Sequence, residues 1–135
     1  MLRLTNRIIF DTICCMDDEN LILQVRFYRT TVGNEPVRDW LNELAPMDRK
    51  AIGKDIKTVQ FSWPLGMPLV RKLAPGLWEI RSSIQAGIAR VLFTVVGEAM
   101  VLLHGFVKKT QKTPQTELET ARRRLIEVQR MGDNE

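Results

Sequence analysis

From Leu21 to Tyr28 apolar and polar side chains alternate around Val25 and Phe27, the two-residue period of a half-buried strand, and Thr31-Val32-Gly33-Asn34 closes it as a turn. The period then becomes helical. Pro36 suits a first helical turn, and Val37, Trp40, Leu41 and Leu44 fall on one face. Ala45-Pro46 breaks that helix and starts a second, with Ile52, Ile56 and Val59 inward, Arg49, Lys50, Lys54, Asp55 and Lys57 outward, and an end before Trp63-Pro64. Leu65 to Leu69, holding Gly66 and Pro68, reads as a loop. Three strands follow at Leu77 to Ser83, Ile88 to Val96 and Met100 to Lys108. The connections Ile84-Gln85-Ala86-Gly87 and Gly97-Glu98 are short enough to make them an antiparallel meander. Thr113-Pro114 reads as an N-cap and first-turn pair opening a last helix, whose inner stripe is Leu118, Ala121, Leu125 and Val128. The predicted order is strand, helix, helix, three strands, helix: an α+β fold with a small antiparallel sheet, an N-terminal helical hairpin and a C-terminal helix.

With 135 residues, 44% of them apolar, the chain suits one domain with its own core, placed at 21–131. Residues 1–20 read as an N-terminal extension, disordered or the product of a misassigned start. Met16 precedes the first strand, and a chain beginning there is expected to fold and keep its activity. No apolar run reaches the roughly 20 residues of a membrane span, and Asp11 interrupts the N-terminal segment before a signal-peptide core develops, so a cytoplasmic protein with no membrane partner is expected. Adjacent Cys14 and Cys15 suit neither a bridge nor a zinc site and read as reduced bystanders.

Charge sharpens the picture through its placement. The net +4 falls entirely in residues 71–135, and between Arg71 and Lys112 the cations Arg71, Lys72, Arg81, Arg90, Lys108, Lys109 and Lys112 face only Glu79 and Glu98. A field of that sign attracts polyanions, although a solvated basic surface gives the same count. Strand alternation puts Leu77, Glu79, Arg81 and Ser83 on one side of their strand, Arg90, Leu92 and Thr94 on one side of the next, and His104 with Leu102, Phe106 and Lys108 on one side of the last. One sheet face is then packed and the other half polar. In register, Arg81, Arg90, His104 and Lys108 gather beside Lys109 and Lys112. Cleaving an RNA phosphodiester by its own 2′-hydroxyl needs a base, an acid and cations for the phosphorane oxygens, and the only histidine, His104, is the side chain that titrates near neutrality unperturbed. His104 could instead be structural, and Arg81 could pair with Glu79 or Glu98. Arg122, Arg123 and Arg124 read as a solvated helix face or a grip for an acidic partner. No metal cluster or phosphate-cradling glycine loop stands out, so chemistry without metal or cofactor is expected.

Three segments together resemble a known family: Lys72-Leu73-Ala74-Pro75-Gly76-Leu77-Trp78-Glu79-Ile80-Arg81, then Ala89-Arg90-Val91-Leu92-Phe93, then Leu102 through the lysine-rich stretch to Thr113-Pro114, with Glu117 and Ala121 beyond. This pattern, running from about Val25 to Arg124, resembles the phage-derived HigB-type branch of the RelE/ParE toxin superfamily. The resemblance implies the toxin of a type II toxin–antitoxin pair, a RelE/ParE-like fold, ribosome-dependent cleavage of mRNA, and inhibition by a helix-turn-helix antitoxin of the HigA type. By position Arg90 matches the strand arginine that contacts the scissile phosphate, and Arg81 the arginine of the Trp-Glu-Ile-Arg strand. Lys108, Lys109 and Lys112 fall in the cationic segment and, with Lys72, are expected to bind RNA. The tyrosine or histidine that many relatives carry near the chain end is absent after Lys112. Either His104 replaces it, or positioning and charge suffice. Arg81, Arg90, His104 and Lys108 are therefore the catalytic candidates, and Arg90→Ala is expected to abolish most cleavage with the fold intact. A ParE-like gyrase inhibitor and a degenerate toxin that only binds its antitoxin remain as alternatives.

Overall fold

The computed structural model describes residues 22–64, 66, 68–108 and 113–133. The N-terminal extension with Met16, Cys14 and Cys15, and the lysines Lys109 and Lys112, lie outside the described residues. The elements run β1 (Gln24–Phe27), α1 (Pro36–Glu43), α2 (Pro46–Ser62), β2 (Val70–Ala74), β3 (Leu77–Ile84), β4 (Gly87–Val96), β5 (Ala99–Lys108) and α3 (Gln115–Asp133). Both hairpin helices start on a proline in their first turn, where the missing N–H has no intrahelical partner to lose.

The sheet has the order β1-β5-β4-β3-β2. Strands β2 to β5 form an antiparallel meander, while β1 closes the far edge parallel to β5, with Val25 opposite Met100. The meander has four strands where the sequence pattern predicts three. The additional strand, β2, is five residues long, lies on an edge, carries Arg71 and Lys72, and changes register between Lys72 and Ala74. That irregularity erases its alternation. It joins β3 through Pro75-Gly76, and Gly76 takes a φ of +75°, a backbone state that residues with a Cβ rarely adopt.

Helices cover both faces. The α1–α2 hairpin packs Val37, Leu41, Ile52, Ile56 and Val59 onto Val25, Ile80, Val91, Phe93 and Leu102. Helix α3 packs Ala121 and Leu125, flanked by Leu118 and Val128, onto Leu77, Leu92, Val101, Leu103 and Phe106. The expected division into one packed and one half-polar face is thus corrected: α3 covers part of the second face, and the polar cluster lies around the start of that helix. The hairpin is also tied by polar bonds. Asp48 in the first turn of α2 accepts from the Gln85 amide of the β3–β4 turn, and Gln60 near its end donates to the Leu23 carbonyl.

At Gly105 the hairpin helix α1 comes close to the sheet. A Cβ placed there would stand 2.4 Å from two ring carbons of Trp40, so Trp40 or the β5 backbone would have to move. Gly105→Ala is expected to destabilise the fold by about 1–3 kcal/mol, measured as a lower urea midpoint at unchanged slope.

Candidate active site

The register brings the sequence candidates onto the α3 face. Arg81 lies opposite Arg90, Arg90 opposite Phe106, Leu92 opposite His104, and Ile88 opposite Lys108. Arg71 joins them from β2 through its pairing with Glu79. Lys72 does not. It pairs with Trp78 on the hairpin face, where its ammonium stands 5.9 Å from the Trp78 ring, which in turn meets Trp63 edge-on at 5.0 Å.

His104 reaches the α3 face by a route that simple alternation misses. Pairing shifts between Leu92 and Phe93, so that Leu92 faces His104 while Phe93 faces Leu102, leaving Leu103 as an extra residue. Leu103 and His104 therefore both turn toward α3, and Leu102 turns to the hairpin. The expectation that His104 and Leu102 share a side is corrected by this bulge.

Arg90 is fully buried, 0% exposed, and so is Glu79, whose Oε1 stands 3.6 Å from Arg90 Nη1. Thr113 bridges them: its Oγ1 accepts from Arg90 Nη1 at 3.1 Å and donates to Glu79 Oε2 at 2.5 Å. Burial pushes the Arg90 guanidinium below its ordinary range, Glu79 opposes that shift, and Arg81 and Arg71 add to it. A guanidinium nevertheless stays protonated in proteins, so Arg90 and Glu79 form a buried ion pair among like charges. Glu79 thus serves Arg90 rather than only its strand neighbour Arg81. Arg71, Arg81 and Lys108 are half-buried, so solvent reaches them and not Arg90.

Beside this cluster α3 engages both ring nitrogens of His104. Nε2 lies 2.5 Å from Glu117 Oε1, and Nδ1 lies 3.3 Å from Arg124 Nη1, which also donates to the Leu103 carbonyl at 2.8 Å. Arginine only donates, so Nδ1 accepts and Nε2 carries the hydrogen toward Glu117. The His104 and Glu117 side chains keep 19% and 32% of their surface exposed. Arg124 also lies 5.2 Å from the centre of the Tyr28 ring, and Tyr28 Oη donates to Glu127 Oε1 at 2.9 Å. Thr113 and Glu117, four residues apart, therefore hold the start of α3 to β3 and β4 on one side and to β5 on the other.

Burial raises the Tyr28 pKa above its ordinary 10.0; the bond to Glu127 and its charge raise it further, against Arg124 and Arg123. The folded state then binds the phenolic proton more tightly than the unfolded chain. The associated stability is complete below pH about 10 and is lost as pH rises through the folded-state value. Tyr28→Phe is expected to flatten the alkaline fall in stability above pH 10, as read from denaturant midpoints across that range.

Residues 39–126 match the family described as Phage derived protein Gp49-like (DUF891). The chain belongs to this Gp49-like family. It is a family of the toxin–antitoxin kind, and the matched stretch contains Glu79, Arg81, Arg90, His104, Lys108, Thr113, Glu117 and Arg124. None of the curated proteins compared matches this Gp49-like chain. Among the described residues no helix of the Gp49-like protein is long and apolar enough to cross a membrane.

Proposed function

We propose that this Gp49-like protein is a HigB-type toxin of a type II toxin–antitoxin pair, a cytoplasmic endoribonuclease that cuts mRNA on the ribosome without a metal or cofactor. The observation that carries the reading is the convergence of Arg71, Arg81, Arg90 and Lys108 on one sheet face beside the His104–Glu117 pair. Cleavage forms the O2′–P bond and breaks the P–O5′ bond, leaving a 2′,3′-cyclic phosphate and a 5′-hydroxyl. The proton of the 2′-hydroxyl is taken up and one is delivered to the departing 5′ oxygen. Arg81 and Lys108 offset the charge that develops on the phosphorane oxygens, and fixed cations in a partly desolvated site do this better than mobile ones in water. Arg90 supports them from beneath, and His104 exchanges protons with Glu117 as its partner. Holding the mRNA on the ribosome supplies orientation that a small cationic surface lacks on its own.

Lys108, with Lys109 and Lys112 beyond it, contacts the RNA backbone, while Lys72 contributes away from the cleaved bond. A helix-turn-helix antitoxin of the HigA type is the proposed inhibitor. The test is incubation of the purified protein with ribosomes stalled on a defined mRNA, followed by analysis of the new ends. Cyclic-phosphate and 5′-hydroxyl termini support the reading. Intact mRNA with the folded protein bound to the ribosome contradicts it.

A further inference from the structure

Thr113 lies two residues before α3, close to where a threonine hydroxyl ordinarily caps a free helix amide. Its hydroxyl instead accepts from Arg90 and donates to Glu79, both fully buried charged side chains of the α3 face. This arrangement has a consequence for Arg81. Arg81 lies directly opposite Arg90, so two like charges occupy neighbouring positions, and Arg90 feels both Arg81 and Arg71. Glu79 offsets the repulsion only while Arg90 is held toward it. Among the described residues, Thr113 is a side chain from outside the sheet that joins this arrangement, linking Nη1 of Arg90 to the second oxygen of Glu79.

We propose that Thr113 is a positioning residue for the cationic site, its hydroxyl fixing Arg90 against Glu79 and thereby setting the place of the Arg81 guanidinium that meets the phosphate. The assignment rests on the nuclease reading for its effect on catalysis, but the geometry it claims can be measured without RNA. Valine has nearly the shape of threonine and lacks the hydroxyl, leaving a donor on Arg90 and an acceptor on Glu79 without that partner. Serine keeps the hydroxyl.

The experiment compares the full chain with Thr113→Val and Thr113→Ser, each first checked for folding by circular dichroism. In the stalled-ribosome cleavage assay Thr113→Val is expected to lower kcat about 10- to 100-fold with KM within about threefold, because misplacing a group without removing it costs rate more than binding. Thr113→Ser is expected to stay within about threefold of the parent. In parallel, hydrogen exchange at the Arg90 guanidinium, followed by NMR without RNA, is expected to quicken in Thr113→Val and to stay slow in Thr113→Ser. Unchanged Arg90 exchange in the valine variant overturns the proposal, whatever happens to cleavage. So does a serine variant as impaired as the valine one, or a valine variant with parental kcat. If the parent chain cuts no RNA, the nuclease reading fails, and the exchange measurement alone decides whether Thr113 fixes Arg90.

Discussion

Arg90→Ala is expected to destabilise the protein by about 3–5 kcal/mol, because it leaves the Glu79 carboxylate buried without its countercharge. The resemblance singles out Arg90 as the arginine to remove for loss of cleavage with the fold intact. Its complete burial changes that expectation: a loss of activity in Arg90→Ala reports on folding as much as on catalysis. The double replacement Arg90→Met with Glu79→Leu removes both charges and keeps most of the volume, and such replacements are often neutral or stabilising. Chemical denaturation of the parent, the single variant and the double variant checks this. A single variant as stable as the parent would mean that the buried Glu79 finds other compensation when Arg90 is gone.

The second large effect falls on Arg81. Half-buried and opposite Arg90, it can lose its guanidinium without leaving the Arg90–Glu79 pair unbalanced. Arg81→Ala is expected to lower cleavage by about 10²- to 10³-fold, the usual consequence of removing one preorganised group facing developing charge. Its denaturation midpoint should stay close to the parent's. Lys108→Ala should act in the same direction with a smaller effect, since an ammonium on a flexible stem is less rigidly placed than a guanidinium. Single-turnover cleavage on stalled ribosomes, run beside denaturation curves, separates loss of chemistry from loss of fold.

Much of this arrangement was legible in the residues. Two-residue turns at Gln85-Ala86 and Gly97-Glu98 leave little freedom in strand register, so the meeting of Arg81 with Arg90 on one face followed from the spacing. The inner stripes of α2 and α3 followed from helical period, because each buries one side only. Other features depend on contacts far apart in the chain. Pairing of β1 with β5 joins segments separated by the whole meander, and nothing local to Val25 names Met100 as its neighbour. Strand β2 is short, charged and irregular, so it carries no clear period.

The site itself divides in the same way. The bulge that turns both Leu103 and His104 toward α3 has a faint signal in Gly105, since a glycine inside a strand marks a bulge or a close approach, and the close approach of Trp40 is what it permits. Glu79 could have been read as a partner for an arginine on its own strand, but not as the countercharge of a buried one on the next. Thr113 looked like a helix cap because its position suits one. Only the folded arrangement shows its hydroxyl between Arg90 and Glu79, and only there does Lys72 part from the other cations. Alternation could not decide that, because the edge strand that holds Lys72 shows none.

The most direct test of the RNA-cleavage reading is to induce the full chain in bacterial cells and map mRNA 5′ ends across the transcriptome, with Arg81→Ala as the control and markers of DNA damage followed in parallel. New 5′-hydroxyl ends in codon phase within coding sequences, absent from cells expressing Arg81→Ala, are the predicted result. Growth arrest with a DNA-damage response and no new mRNA ends would contradict it.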